Sequence, residues 1–395
     1  MPLGIYVSVP FCRTKCSYCN FASDVFSRAV FGRYVDRVCN DIANAPHVAS
    51  EMGAQMERAV DSIYLGGGTP TVLDPAQLER VFTAVRSQFD VKPDAEVTVE
   101  CAPGTLEGGM LETILRCGVN RVSLGVQSFV DQEAAAVGRL HKRVTVLEDI
   151  ARLRGAGISN INIDLIAGLP HQTAENWEFS LAETIATGAP HVSVYMLEVD
   201  DESRLGRELL AGGTRYHAHF VPEEEATADF YLLACDRLQS AGIAQYEISN
   251  FARENFESNH NLKYWTRQPY FGFGVDAHSM LPLTTPGMDA VRFASADSLE
   301  SFTDGAAPQR TLVSRRAALE ENFFLGLRLN RGISLRAIAT SFGEAAIENV
   351  QDTIVEFIAS GLMERGGDLL SLTSRGRLLS NEVFQRFLLS EEAVL

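Results

Sequence analysis

The stretch Ile5-Tyr6-Val7-Ser8-Val9-Pro10-Phe11-Cys12-Arg13-Thr14-Lys15-Cys16-Ser17-Tyr18-Cys19 decides how this chain is read. Its apolar, alternating first half reads as a strand, and three cysteines spaced C-x3-C-x2-C follow at once. A cubane iron–sulfur cluster ordinarily takes four thiolates, so a loop with three holds three irons and leaves the fourth open to a small chelating molecule. Close cysteines in an intracellular protein also read as a zinc knuckle or as buried apolar thiols. Zinc wants a fourth ligand, however, and no further Cys or His follows at zinc-finger spacing, since the next cysteine, Cys39, falls in a helical stretch. Ligand count therefore favours the open cluster. Cys39, Cys101, Cys117 and Cys235 stand singly in apolar surroundings and read as packing residues.

Working outward, 395 residues with 46% hydrophobic content suffice for two or three globular domains. A formal net charge of −17 speaks against nucleic acid as the main partner, because a phosphate backbone calls for clustered Lys and Arg. Seven cysteines, three of them clustered, suit a reducing compartment better than a disulfide framework. The chain opens on Met1-Pro2-Leu3-Gly4 and runs into a strand, and no segment approaches the length of a membrane span, so a cytoplasmic protein with no intrinsic membrane anchor is expected.

From Ile5 to about Tyr195, short β-branched runs alternate with longer amphipathic stretches, the signature of repeated βα units and a parallel sheet. Strands are predicted at Ile5–Val9, Ser62–Leu65, Glu96–Glu100, Arg121–Gly125, Asn160–Ile166 and His191–Tyr195, a partial (β/α)6 barrel. Helices are predicted at Phe31–Ala45, Pro75–Phe89, Leu106–Cys117, Val144–Gly155 and Ala174–Gly188. The expected division is a barrel over 1–201, an aromatic-rich extension over 202–313 and a third unit over 314–395. That last unit reads as helices, including one from Glu344 to Ser360, then a tight hairpin at Gly366-Gly367, which is a winged-helix-like α+β pattern.

Chemistry in such a barrel gathers at the C-terminal strand ends, where the loops converge. The cysteine loop follows the first strand and Gly66-Gly67-Gly68-Thr69-Pro70 the second, while Glu100 ends the third, Gln127 closes the fourth and Asp164 lies in the fifth. Three glycines let backbone approach a ligand closely, although taken alone they read as a tight strand-to-helix turn. Glu100, Arg139 and Asp164 either face solvent or meet a polar ligand, ribose hydroxyls suiting a carboxylate and a carboxylate suiting a guanidinium.

The segments Tyr6–Cys12, Leu65–Thr71, Ser123–Phe129, Gly138–His141 and Asp164–Pro170 closely resemble the oxygen-independent coproporphyrinogen III oxidase branch of the radical SAM superfamily. Within that branch, the oxidases carry a cysteine two residues after the third ligand and a longer N-terminus; Phe21 stands at that position here. Together with His260-Asn261-Leu262-Lys263-Tyr264-Trp265, this looks like the heme-chaperone group of the branch. The resemblance implies a 4Fe-4S cluster on Cys12, Cys16 and Cys19. It implies S-adenosylmethionine contacts near Tyr6, Tyr18, Gly67, Gly68, Thr69, Glu100, Gln127, Arg139 and Asp164. It also implies heme binding, client apo-hemoproteins as partners, and a homodimer. The chain departs from the pattern at Ser8, where histidine is usual, at Ala167, where tyrosine is usual, and at His171, where glycine is usual; the last two are expected near the barrel mouth.

His260 is the candidate heme ligand, since neutral imidazole is a common axial ligand and Tyr264 and Trp265 are placed to stack beside a porphyrin. The competing reading is that the His-Asn pair anchors a loop. The rival function is a radical SAM oxidoreductase acting on coproporphyrinogen III or a related tetrapyrrole. A DNA-reading winged helix is disfavoured by Glu344, Glu348, Asp352 and Glu356 along its helix.

Overall fold

The computed structural model describes residues 1–388. Six strands run parallel in sequence order: β1 (Leu3–Val9), β2 (Ala59–Gly67), β3 (Asp90–Cys101), β4 (Arg121–Gln127), β5 (Asn160–Ala167) and β6 (His191–Met196). The expected strands lie inside these; the longest addition, Asp90–Ala95 at the start of β3, has a single β-branched residue, Val91, among Asp, Lys and Pro. Helices at Phe31–Ala43, Pro75–Gln88, Met110–Arg116, Arg143–Gly155 and Ala174–Ala186 fill the crossovers. Pro75–Gln88 begins with Pro at its first turn and an Asp74/Gln77 capping box, which satisfies backbone donors the helix itself cannot.

Strand parity builds the interior. On β4, β5 and β6 the residues Val122, Leu124, Ile161, Ile163, Val192 and Val194 are essentially fully buried in the same core as Val35, Val81, Leu153 and Trp177 from the helices. The alternate positions, Arg121, Ser123, Asn162, Asp164, His191 and Ser193, face the other way, into the barrel. The barrel is thus apolar where helices cover it and polar inside. That interior is the preparation for a ligand site.

The region after β6 continues the same sheet. β7 (Ala244–Glu247) and β8 (Asn250–Ala252) extend the β6 edge, and β9 (Tyr270–Phe273), β10 (His278–Pro282), β11 (Met288–Ala294) and β12 (Gln309–Ser314) extend the β1 edge. β9 pairs with β1 in parallel, Gly4 opposite Tyr270 and Val7 opposite Phe273. Residues 319–387 supply a second core, built on Leu319, Phe323, Ile354, Leu370 and Phe387, with a three-stranded sheet of β13 (Ile333–Ser334), β14 (Met363–Gly366) and β15 (Leu369–Leu372). The single helix expected from Glu344 to Ser360 is two, Ala345–Glu348 and Gln351–Ala359, with Val350 between them at φ −111°, outside helical geometry.

Candidate functional site: one cavity at the barrel mouth

The C-terminal strand ends open into a cavity of about 600 Å³. Cys12, Cys16, Cys19, Tyr18, Gly67, Gly68, Thr69, Glu100, Gln127, Arg139 and Asp164 all line it. Residues up to 152 positions apart in sequence are therefore brought to one place by strand topology, Cys12 from the loop after β1 and Asp164 from β5. Tyr6 is the exception among the residues expected to contact S-adenosylmethionine. It faces an adjoining hollow of about 260 Å³ together with Ser8, Phe21 and Gly67.

The cysteine loop is held from several sides. Cys12 N–H donates to the Asp24 carbonyl at 3.0 Å and Ser17 N–H to the Val137 carbonyl at 3.1 Å. Thr69 Oγ1 donates to Cys12 Sγ at 3.9 Å, and Arg139 Nη1 donates to Cys16 Sγ at 3.5 Å. The other Arg139 nitrogen donates to the Gly125 carbonyl. Burial pushes the Cys12 thiol up, aided by the neighbouring charge of Cys19 and Cys16, while Ser23 and Thr69 pull it down. A bare thiolate triad is costly there, and a cationic cluster that takes up all three sulfurs relieves that cost.

Glycines behind the loop answer to the protein's own packing as well as to a ligand. A Cβ on Gly66 would lie 2.7 Å from the Glu100 carboxyl carbon, and one on Gly68 would lie 2.6 Å from the Val9 carbonyl oxygen. The first would displace the Glu100 carboxyl and the second meets backbone that cannot give way, so both glycines answer to packing within the protein. Glu100 Oε1 accepts from Tyr64 Oη at 2.8 Å. Burial, reinforced by the charge of Asp164, pushes the Glu100 carboxyl up to about 7, against the opposing pull of Tyr64, the Gly67 amide and Arg121. Asp164 accepts from Ser123 Oγ at 2.9 Å and Asn162 Nδ2 at 2.7 Å; burial raises it too, with those bonds opposing. Gln127 sits at φ 68° where β4 is bulged against β5, a conformation that ordinary residues adopt only at a cost the surroundings offset.

Below the cavity the floor is closed by the helix Asn259–Trp265. Glu96 receives the Asn259 and His260 amides at 3.0 and 3.1 Å and the Ser258 hydroxyl at 3.3 Å, a carboxylate at a helix N-terminus. His260 is 1% exposed. Its Nδ1 pairs with Ser62 Oγ at 3.0 Å and its Nε2 with Tyr264 Oη at 2.9 Å, while the ring stacks on Tyr64 at 5.4 Å. Burial, with the nearby charges of Lys263 and Arg121, pushes the imidazole down to about 3. Both nitrogens have partners within the protein and burial favours the neutral ring, an arrangement that suits the anchoring reading of the His-Asn pair better than an axial ligand. Trp265 lies against Arg328, whose guanidinium carbon is 4.3 Å from the ring centroid. Arg328 also pairs with Glu247 at 3.5 Å, tying the C-terminal region to the floor.

Two of the departures fall away from the cavity lining. Ala167 is fully buried. His171 bonds His217, itself half-buried, at 3.0 Å and stacks on Phe220 at 4.2 Å. The sequence reading missed Tyr64, Arg121, Asn162, Ser193 and Tyr195, all of which line the cavity. Their signal lies in the polar half of each strand's alternation, which marks the face turned into the barrel.

Comparison with known proteins bears on this geometry. The model of the radical SAM superfamily matches residues 6–182, and that of the HemN C-terminal domain matches 313–379. Heme chaperone HemW of Lactococcus lactis subsp. lactis is 31% identical over 99% of this chain and 98% of its own. The chain belongs to the HemW family of radical SAM proteins. Heme chaperone HemW of Bacillus subtilis is 32% identical over 97% of this chain and 98% of its own, and that of Escherichia coli 30% over 98% of each. The fold matches that of coproporphyrinogen III oxidase (HemN) from Escherichia coli, a radical SAM enzyme, with TM-score 0.82 over 98% of this chain and 90% of that one at 23% identity. As a radical SAM protein of the HemW family, the chain takes a 4Fe-4S cluster and S-adenosylmethionine as cofactors. The donor set fits them: three thiols on one short loop, with no fourth cysteine on that loop, beside a cavity lined by four carboxylates, Glu100, Asp164, Glu198 and Asp200.

Proposed function

We propose that this chain is a heme chaperone that binds heme and delivers it to client apo-hemoproteins. The observation that carries the reading is kinship along the entire chain with proteins named heme chaperone HemW, at 31% identity over 99% of its length. In this reading Cys12, Cys16 and Cys19 hold the cluster, and the Gly67-Gly68-Thr69 backbone grips the amino-acid end of S-adenosylmethionine. Glu100 and Asp164 accept from ribose hydroxyls, while Arg139, Gln127, Tyr18 and, from the adjoining hollow, Tyr6 fix its remaining contacts. When bound and reduced, the cluster supplies one electron to the sulfonium cofactor. The chain's own part is to hold the thiolates, orient the cofactor and limit water.

Heme itself is assigned away from His260. Phe21 and Leu140 are 68% and 72% exposed at the cavity rim, an apolar edge of the kind a porphyrin face covers. We place the protein in the cytoplasm, where thiols remain reduced, and as a homodimer. No helix among the described residues is long and apolar enough to cross a membrane. A second reading, oxidation of coproporphyrinogen III or a related tetrapyrrole, draws on the depth of the polar barrel interior. Ser8 and Phe21 weigh against it.

The test is an anaerobic titration of the cluster-loaded protein with heme, followed by its Soret band, alongside incubation with coproporphyrinogen III. Stoichiometric heme binding without conversion of the porphyrinogen is expected. Conversion without heme binding would overturn the reading in favour of the second.

A further inference from the structure

Arg121 poses a problem of charge. It opens β4 at the deep end of the barrel and is 1% exposed, yet it lines the cavity. Its Nε has no hydrogen-bond partner among the described residues. A guanidinium cannot shed its charge, and a buried unpaired charge is costly. Its cross-strand neighbours offer nothing: Thr98 on β3 and Asn160 on β5 each leave a side-chain oxygen without a partner. Four carboxylates line the cavity: Glu100 bonds Tyr64, Asp164 bonds Ser123 and Asn162, Asp200 bonds Asn20, and Glu198 is exposed. The charge of Arg121 draws the Glu100 and Asp164 carboxyls down, yet among the described residues no hydrogen bond or ion pair joins them to it. Arg121 is thus a donor lining the ligand cavity whose charge acts on Glu100 and Asp164 but whose Nε the protein leaves without a hydrogen bond.

Depth decides what it serves. Arg121 lies four residues before Gly125, whose carbonyl Arg139 holds beside the cluster loop; at about 3.3 Å per residue that is roughly 13 Å of strand. The side chain spans part of that distance, since it lines the same cavity and its charge acts on Glu100 and Asp164, so a ligand reaching it enters the cavity and does not only cover the rim. The planar fork of a guanidinium matches a carboxylate, which it binds with two parallel bonds. We propose that Arg121 anchors the carboxylate of a flexible acid arm that enters the barrel beneath the cofactor. On the tetrapyrrole reading above, on which this rests, that arm is a propionate.

The experiment measures binding of four probes to the cluster-loaded protein: heme, heme dimethyl ester, coproporphyrin III and its tetramethyl ester. Wild type is compared with Arg121→Gln and, to retain charge without the fork, Arg121→Lys. The expected result is tighter binding of acid than ester by wild type, with the acid weakened about ten- to a hundredfold in Arg121→Gln, partly restored in Arg121→Lys, and the ester unchanged. A merely structural role would lower acid and ester alike. Equal losses, or no loss, would overturn the inference while leaving the chaperone reading intact. Binding of coproporphyrin III but not heme would refute the chaperone and still decide Arg121 by the same acid-to-ester comparison. Binding of neither acid by wild type would overturn both.

Discussion

Replacing Glu100 by Gln isolates the charge that this account sets against the ribose of S-adenosylmethionine. The wild-type carboxyl is pushed up to about 7 by burial first and by Asp164 second. Above that pH it is a carboxylate able to accept from two hydroxyls, and below it the proton occupies one of those positions. With a midpoint near 7, about nine-tenths is ionised at pH 8 and about one-tenth at pH 6, so wild-type affinity should fall about tenfold between them. The total loss is capped by the worth of hydrogen bonds to a charged group, about 1.5–3 kcal/mol. Glu100→Gln should bind more weakly than wild type at pH 8, approach it at pH 6, and lack this dependence. The assay is equilibrium binding of S-adenosylmethionine to cluster-loaded protein from pH 5.5 to 8.5. The ligand's own titration is common to both proteins and cancels in their ratio. A ratio independent of pH would refute the reasoning.

Further outcomes follow from the same geometry. Gly66→Ala places a methyl 2.7 Å from the Glu100 carboxyl and should cost about 1–3 kcal/mol of overpacking, read as weaker S-adenosylmethionine binding with the cluster spectrum retained. Ala in place of any of Cys12, Cys16 or Cys19 should abolish the cluster's visible absorbance and its bound iron, whereas Cys117→Ala, which removes a buried thiol away from the cavity, should keep both. His260→Ala removes two hydrogen bonds and a stacked ring and leaves Ser62 and Tyr264 short of a partner. It should destabilise by about 2–4 kcal/mol, seen as a lower Tm, with heme affinity unchanged in the folded fraction.

The barrel was legible because its strands announce themselves by apolar alternation, and Ile161, Ile163 and Leu165 are buried on the helix-covered side as that pattern requires. The cavity was legible because its chemistry lies in short motifs at strand ends, which the topology converges. The surroundings of His260 were not legible: residue type suggests iron, whereas its hydrogen bonds go to Ser62, which only the fold brings near, and to Tyr264 one helical turn on. Tyr6 lines the adjoining hollow and not the main cavity, while Gly67 lines both, a division that no local pattern in the sequence carries. Continuation of the sheet through β9–β12 was hidden because β9 pairs with a strand more than 260 positions earlier, and no local pattern carries that contact.

The central claim is that this chain carries heme for others, and transfer tests it most directly. Heme-loaded, cluster-containing protein is mixed with excess apo-hemoprotein client, and the rate at which the client's Soret spectrum appears is compared with the rate of loss to a non-client heme scavenger. The account predicts faster transfer to the client than to the scavenger, because delivery goes through a complex. Equal rates would mean passive release and would contradict it.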